Sequence, residues 1–300
     1  MNHLASTPEP GPNGLYAENL HHMANYFSFS PAEFQAVAHV LTLGSAVFAA
    51  AIFYFILTLR QVSPKYRMTN VISLVVTVSA FFMLTIQAFS WTSTFLFDSE
   101  SGEYVRKEGH LFSNGFRYMN WAIDVPHLLL QLVIIIPALA MAKKVSYAVQ
   151  FAVGGLLMVL ASWYAAFFEN GHLVDGVSPV PFWVWYLVGW AGYVWILVVL
   201  FKAIKAGRQN TPKESQPLWT AITAIFLVSW NLYAFALVQP ALGAFFEPLW
   251  SSESVAARHI IFTFADITSK AVYGVLLSTI AVQVSKREGY DWQKLDQAKS

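Results

Sequence analysis

Seven stretches of the chain are almost continuously apolar: roughly Phe34 to Leu59, Thr69 to Trp91, Phe116 to Ala142, Ser146 to Phe168, Pro179 to Phe201, Leu218 to Val238 and His259 to Val284. A helix of about 20 residues is long enough to cross a hydrocarbon core of about 30 Å. A transmembrane β-barrel would instead show shorter segments of strict alternation. The pattern therefore predicts an all-α membrane protein, a seven-transmembrane-helix bundle spanning residues 34–285, with an N-terminal segment 1–33 and a tail 286–300. In the first of these flanks, Asn13 to Phe29 contains Leu15, Tyr16, Leu20 and Met23. It reads either as a short amphipathic cap over one mouth of the bundle or as a poorly ordered terminus.

Composition agrees with the pattern. Of 300 residues, 56% are hydrophobic and 12% charged, and a mean hydropathy of +0.50 excludes a pair of soluble domains. Cysteine is absent, which removes disulfides, thiol catalysis and Cys-ligated metals from consideration. There is no phosphate-cradling glycine loop, no zinc-type His spacing, and no basic run interleaved with aromatics. ATP-driven chemistry and nucleic-acid binding are thus not expected. Nor do the spans repeat, as they would in a transporter built from two duplicated halves.

The net charge of +1 hides a strong sidedness. Lys and Arg cluster in alternate connections (Arg60, Lys65, Arg67; Lys143, Lys144; Lys202, Lys205, Arg208, Lys213) and in the tail (Lys286, Arg287, Lys294, Lys299). The opposite connections are acidic or nearly bare, with Asp98, Glu100, Glu103 and Glu108, then Glu169 and Asp175, then Glu247 and Glu253. Basic loops remain in the cytoplasm, so the N-terminus is expected outside and the C-terminus inside. No basic stretch followed by an apolar one opens the chain, and no cleavable signal peptide is expected.

Two spans break the apolar rule. Lys270 lies in the middle of the seventh, where an ammonium costs several kcal/mol, roughly 2.5–3.5 on insertion scales, unless something compensates it. Asp266 precedes it by one helical turn on the same face. A buried lysine is also the side chain suited to a Schiff base with an aldehyde; the plainer alternative is an ion pair that only holds helices together. In the third span, Arg117, Asn120, Asp124 and Gln131 recur at offsets of three, seven and fourteen. At about 100° per residue they fall within an arc of roughly 60°, one polar stripe pointing into the bundle. Pro126 interrupts the hydrogen-bond ladder beside Asp124. A polar conduit past the lysine follows.

These residues, together with AHVLTLG, TNVISLVVTVSAF, WTSTFLF, RYMNW, IDVP and ADITSKAVYGVLL, resemble the microbial rhodopsins, and more narrowly their light-driven sodium pumps. The resemblance runs from the first span to the last. Its most specific element is the set Asn120, Asp124 and Gln131, which matches the three-residue signature of the sodium-pumping group, whereas outward proton pumps carry carboxylates at the first and usually the third position. It implies all-trans retinal bound covalently to Lys270 as a protonated Schiff base, with Trp121, Trp230 and Tyr233 around it. It implies Asp124 as main counterion and transient proton acceptor, with Asp266 sharing the charge and Arg117 on the same polar path. Sodium, the transported substrate, would be held transiently near Asn120 and Asp266.

Softer correspondences extend the path. Ser79 matches a serine near the counterion; Asn70 and Ser278 fall on the cytoplasmic side, the latter where glycine is usual; Glu18, Glu169 and Arg258 match an extracellular exit cluster, although Arg258 alone would also suit a membrane interface. Interhelical hydrogen bonding explains Ser79, Asn70 and Gln131 equally well. Ala234 stands where a proline is common. His39 matches a contact between protomers in a group that forms homo-oligomers, often pentamers, while His110 and Phe116 depart from that group's residues at the contact. His127 reads either as an outward-facing or packed histidine or as a modulator of Asp124. The expected function is light-driven outward sodium transport, not enzymatic catalysis, in the lipid of a plasma membrane, by resemblance a bacterial inner membrane. The alternatives are an outward proton pump, a retinal photosensor, and a passive light-gated channel.

Overall fold

The computed structural model describes residues 22–169 and 178–297. Seven long helices form the bundle: α1 (Pro31–Thr58), α2 (Met68–Thr94), α3 (Gly115–Ile134), α4 (Met141–Ala166), α5 (Val180–Asn210), α6 (Gln216–Leu242) and α7 (Ser252–Arg287). A short α8 (Trp292–Gln297) follows in the tail. Among the described residues six of these, all but α3, are apolar enough as well as long enough to span a membrane. The exception is α3, whose 20 residues span about 30 Å but carry the polar stripe.

Local chemistry sets several ends. α1 begins with a capping box: Ser30 Oγ accepts from Glu33 N at 3.3 Å, and Glu33 Oε2 accepts from Ser30 N at 2.7 Å, with Pro31 in the first turn. This satisfies donors that a helix start leaves unpaired. The third span was expected to run to Ala142, yet α3 stops at Ile134. Pro137 disfavours helical backbone at Ile136, and residues 135–140 turn instead, with Ile135 and Ile136 fully buried. The helices of the other spans mostly run past the apolar limits, α5 to Asn210 and α7 to Arg287, because helix geometry continues into the interface where apolar residues are no longer required.

Between α2 and α3 the chain forms an unanticipated hairpin, β1 (Phe95–Asp98) and β2 (Glu103–Arg106), antiparallel in the register Phe95↔Arg106 to Asp98↔Glu103. Gly102, at φ 73°, takes the turn conformation that side chains avoid. Phe29 pairs with Tyr104, and Phe34 stacks on the same ring with centroids 3.7 Å apart. Within the N-terminal segment, Met23–Tyr26 forms a single turn with Met23 and Ala24 fully buried. The described part of the expected cap is therefore packed; the rest, and Glu18, lie outside the described residues.

α4 and α5 approach closely through glycines. A Cβ on Gly192 would sit 2.9 Å from the backbone nitrogen of Met158 and 3.0 Å from the carbonyl of Gly154. Large apolar side chains such as Phe53, Leu57 and Leu187 face outward, as a lipid-facing surface requires. The bundle has two mouths, a hairpin end and a tail end.

Candidate functional site

α7 is not a uniform helix. Ser252–Asp266 and Tyr273–Arg287 are α-helical, but Ile267–Val272 between them is π-helical, a wider turn that recurs at functional sites. Lys270 stands in this stretch, 2% exposed. Its Nζ lies 2.8 Å from Asp124 Oδ2, 3.0 Å from Asp266 Oδ1 and 2.7 Å from Asn120 Oδ1. α3 thus brings two members of its stripe to a group 146 or more residues away in sequence, and the desolvated ammonium is compensated as its burial demands.

The stripe is buried as periodicity predicts. Arg117, Asn120, Asp124 and Gln131 are between 0% and 5% exposed, whereas Phe116, Met119 and Ile123 on the other side of α3 are between 46% and 56% exposed. His127 does not join the stripe. It is half-buried beside Ile123, with its Nδ1 2.6 Å from the Ile123 carbonyl.

The two carboxylates facing Lys270 differ in their partners. Asp266 accepts from Arg117 at 2.8 Å, Trp121 Nε1 at 3.0 Å and Tyr233 OH at 2.8 Å, in addition to its contact with Lys270. Arg117 also donates to Thr263 Oγ1 at 3.2 Å, and Tyr233 OH lies 2.9 Å from Ser269 Oγ. Among the described residues, Asp124 is partnered by Lys270 alone. Four donors thus converge on Asp266, whereas one faces Asp124.

Lys270 also ends a cavity lined by the expected Trp121, Trp230 and Tyr233. α5 supplies Tyr186, Gly189, Trp190 and Tyr193, and Tyr118, Val125, Leu128 and Met158 complete much of the wall. The α5 aromatics were not anticipated, although their spacing of four and three residues marks one helical face. An apolar, aromatic pocket closed by one amine suits a long unsaturated aldehyde.

Polar groups continue toward both mouths. Asn120 Nδ2 donates to Ser79 Oγ. On the tail side, Ser73 Oγ donates to Gln131 Oε1 at 2.7 Å, and Asn70 Nδ2 to Thr58 Oγ1 at 3.3 Å. Among the described residues, Gln131 Nε2, Asn70 Oδ1, Thr69 Oγ1 and Ser278 Oγ are buried without a hydrogen-bond partner, polar atoms of the kind that buried water satisfies. On the hairpin side, Arg258 is fully buried and does not mark an interface. Its guanidinium grips Glu169 at 3.0 and 2.7 Å and donates to the Ala236 carbonyl at 2.7 Å. Glu169 Oε1 also accepts from Met23 N at 3.1 Å, so the N-terminal turn is tied to this pair. His22, not anticipated as a site residue, places Nε2 3.1 Å from Arg258; burial, and then the charge of Arg258, hold its pKa well below the usual histidine value. His39 and Phe116 are exposed on the outside of the bundle.

Residues 35–284 match the family described as "Bacteriorhodopsin-like protein". The chain belongs to this family of microbial rhodopsins. Similar members include Opsin-1 of Neurospora crassa, 25% identical over 79% of this chain and 72% of its own, and the blue-light absorbing proteorhodopsin of Gamma-proteobacterium Hot 75m4, 24% identical over 80% and 84%. Among solved structures, a thermophilic rhodopsin and xanthorhodopsin, described as a light-driven ion pump with dual chromophore, each superpose with a TM-score of 0.76. Each is 25% identical, covering 88% of this chain and 99% of its own. The protein is thus a helical membrane protein of the rhodopsin fold, in a family of light-driven ion pumps and sensors whose members bind retinal.

Proposed function

We propose that this microbial rhodopsin is a light-driven outward sodium pump, with the hairpin end outside and the tail end in the cytoplasm of a plasma membrane. The observation that carries the reading is the arrangement around Lys270: among the described residues, one carboxylate with that single partner, one held by several donors, and an amide, Asn120, on the lysine nitrogen; by resemblance, outward proton pumps carry a carboxylate at the position of Asn120.

Retinal, bound to Lys270 as a protonated Schiff base, supplies the light-driven change of shape. The chain does the remainder. Asp124 takes the proton from the Lys270 nitrogen, which removes the positive charge beside the path. At an effective dielectric of about 20, two unit charges 4 Å apart repel by about 4 kcal/mol, so the path is closed to a cation before that transfer and open after it. Asn120 and Asp266 then offer oxygens to sodium, hard ligands for a hard cation. Return of the proton to the lysine nitrogen restores the barrier behind the ion. Ser278, Asn70 and Gln131 line the approach; Glu169 and Arg258 guard the exit. With Gln131 in place of a carboxylate, the cytoplasmic side offers no acidic donor at that position, and the proton gates the path without being carried. The exposed His39 is suited to contacts in a homo-oligomer, a pentamer by resemblance.

The test is light-induced pH change in retinal-supplied cells in unbuffered sodium chloride, with and without a protonophore, and again with sodium replaced by a large organic cation. Sodium export gives alkalinisation that grows with protonophore and vanishes without sodium. Acidification abolished by protonophore in either salt makes the chain a proton pump and overturns the reading.

A further inference from the structure

The tail end of α7 is bound to its neighbours on two sides by different means. Toward α5 and α6, Arg287 donates to the Asn210 carbonyl at 2.9 Å and Gln283 accepts from Ser215 Oγ at 2.6 Å. Toward the α1–α2 connection, Ser63 N donates to Ser285 Oγ at 3.0 Å. The chain then folds back across that same seam. Gly289, at φ 85°, permits the reversal. Glu288 accepts from Lys65 Nζ at 2.9 Å and Tyr66 OH at 2.6 Å, and Tyr290 OH donates to the Arg60 carbonyl at 3.0 Å while accepting from Arg67 at 3.3 Å.

The α1–α2 connection, the start of α2 and the tail half of α7 also carry side-chain oxygens that, among the described residues, are buried without a hydrogen-bond partner: Ser63 Oγ, Thr69 Oγ1, Asn70 Oδ1 and Ser278 Oγ. α2 and α7 meet tightly below them, where a Cβ on Gly274 would stand 3.1 Å from Ser73 Oγ. Ser278 and Ser285 share one face of α7, seven residues apart. The lower surface of the seam is therefore polar and buried, and its upper surface is a strap of three residues whose side-chain bonds all go to the α1–α2 connection.

We infer that Glu288 to Tyr290 form a latch over the cytoplasmic mouth of the ion path, held shut on Lys65, Tyr66 and Arg60 and released when a small monovalent cation takes the Glu288 carboxylate from Lys65. The identity of the cation rests on the pump reading; the latch itself does not. Glu288 is an acidic group at this mouth, its side chain 35% exposed, so an ion from solution reaches it without the bundle opening. Lys65, 55% exposed, is a competitor already in place. A hydrated alkali ion that displaces it loosens the strap and gains a route to Ser278 and Asn70. Tyr290 keeps the strap in register and would close it again.

The absence of cysteine makes access directly measurable. Ser278→Cys is introduced into the full-length retinal-loaded protein, and the rate of modification by a small cationic methanethiosulfonate is followed in the dark, with the visible band as the check on folding. The same probe is then combined with Glu288→Gln and Tyr290→Phe together. The latch requires modification at least about tenfold faster in the combined variant; equal rates overturn it. Thr69→Cys, on the other wall of the seam, gives the same comparison if the first probe yields no coloured protein. With the latch residues intact, sodium chloride should speed modification several-fold over a large organic cation chloride at equal ionic strength. No difference between the salts overturns opening by a cation. Because labelling in the dark needs no transport, a failed sodium reading in the cell assay leaves these outcomes fully interpretable.

Discussion

Removing the charge of Asp266 and removing that of Asp124 should have unequal consequences. In Asp266→Asn, Arg117 keeps its contacts to Thr263 Oγ1 and the Phe262 ring but becomes a fully buried guanidinium that has lost its paired carboxylate. Trp121 and Tyr233 lose a charged acceptor at the same time. Breaking a buried ion pair by deleting one partner costs about 3–5 kcal/mol. In Asp124→Asn, the nitrogen of Lys270 retains Asp266 at 3.0 Å and Asn120 at 2.7 Å, and no second cation is stranded. At about 2–4 °C per kcal/mol for a domain of this size, Asp266→Asn should lower the midpoint of thermal bleaching by roughly 6–20 °C, and Asp124→Asn by markedly less. The assay is loss of the visible band on heating of the retinal-loaded protein in one detergent. If Asp124→Asn bleaches as early as Asp266→Asn, the unequal partnering of the two carboxylates does not govern stability and the reasoning is wrong. Transport separates the same two roles: Asp124→Asn should abolish sodium export even where the colour survives.

Three further outcomes follow from particular contacts. Lys270→Ala should yield colourless protein when supplied with retinal, and a retained visible band would remove the chromophore assignment. Gly192→Ala should destabilise by about 1–3 kcal/mol, because its Cβ would press on the backbone of Met158 and Gly154 rather than on a movable side chain; an unchanged bleaching midpoint would show that α4 and α5 can separate freely. The strap should be closed across the neutral range. Partial burial opposes ionisation of Glu288, yet hydrogen bonds from Tyr66 and Lys65 hold its pKa below the usual carboxylate value, so its contribution is present above that usual value and disappears as pH falls through the lower, folded-state one. Tyr66 and then Glu288 raise the pKa of Lys65, whose contribution is present below the usual lysine range and is lost as pH rises through the higher value. Modification of Ser278→Cys, corrected for reagent chemistry, should therefore be flat through neutral pH and accelerate only in acid below the usual carboxylate range; acceleration near neutral pH would point to a histidine instead.

The sequence by itself determined what is periodic or locally costly. Apolar length marked the spans, a three, seven and fourteen spacing placed Arg117, Asn120, Asp124 and Gln131 on one buried face, and the expense of a lysine within an apolar run singled out Lys270 before any partner was known. These features depend on helix geometry alone, which repeats every few residues. Other features depend on which helices touch. The spacing of Asp266 and Lys270 places them together, but not the three further donors on Asp266, since Arg117, Trp121 and Tyr233 reach it from 33 to 149 positions away. Arg258 read equally as an interface residue until its pairing with Glu169 was visible. The tail read only as a basic end, because a strap is defined by what it crosses. Side-chain position along one helix is written in the chain; the partner opposite is fixed only when separate helices pack and water is excluded between them.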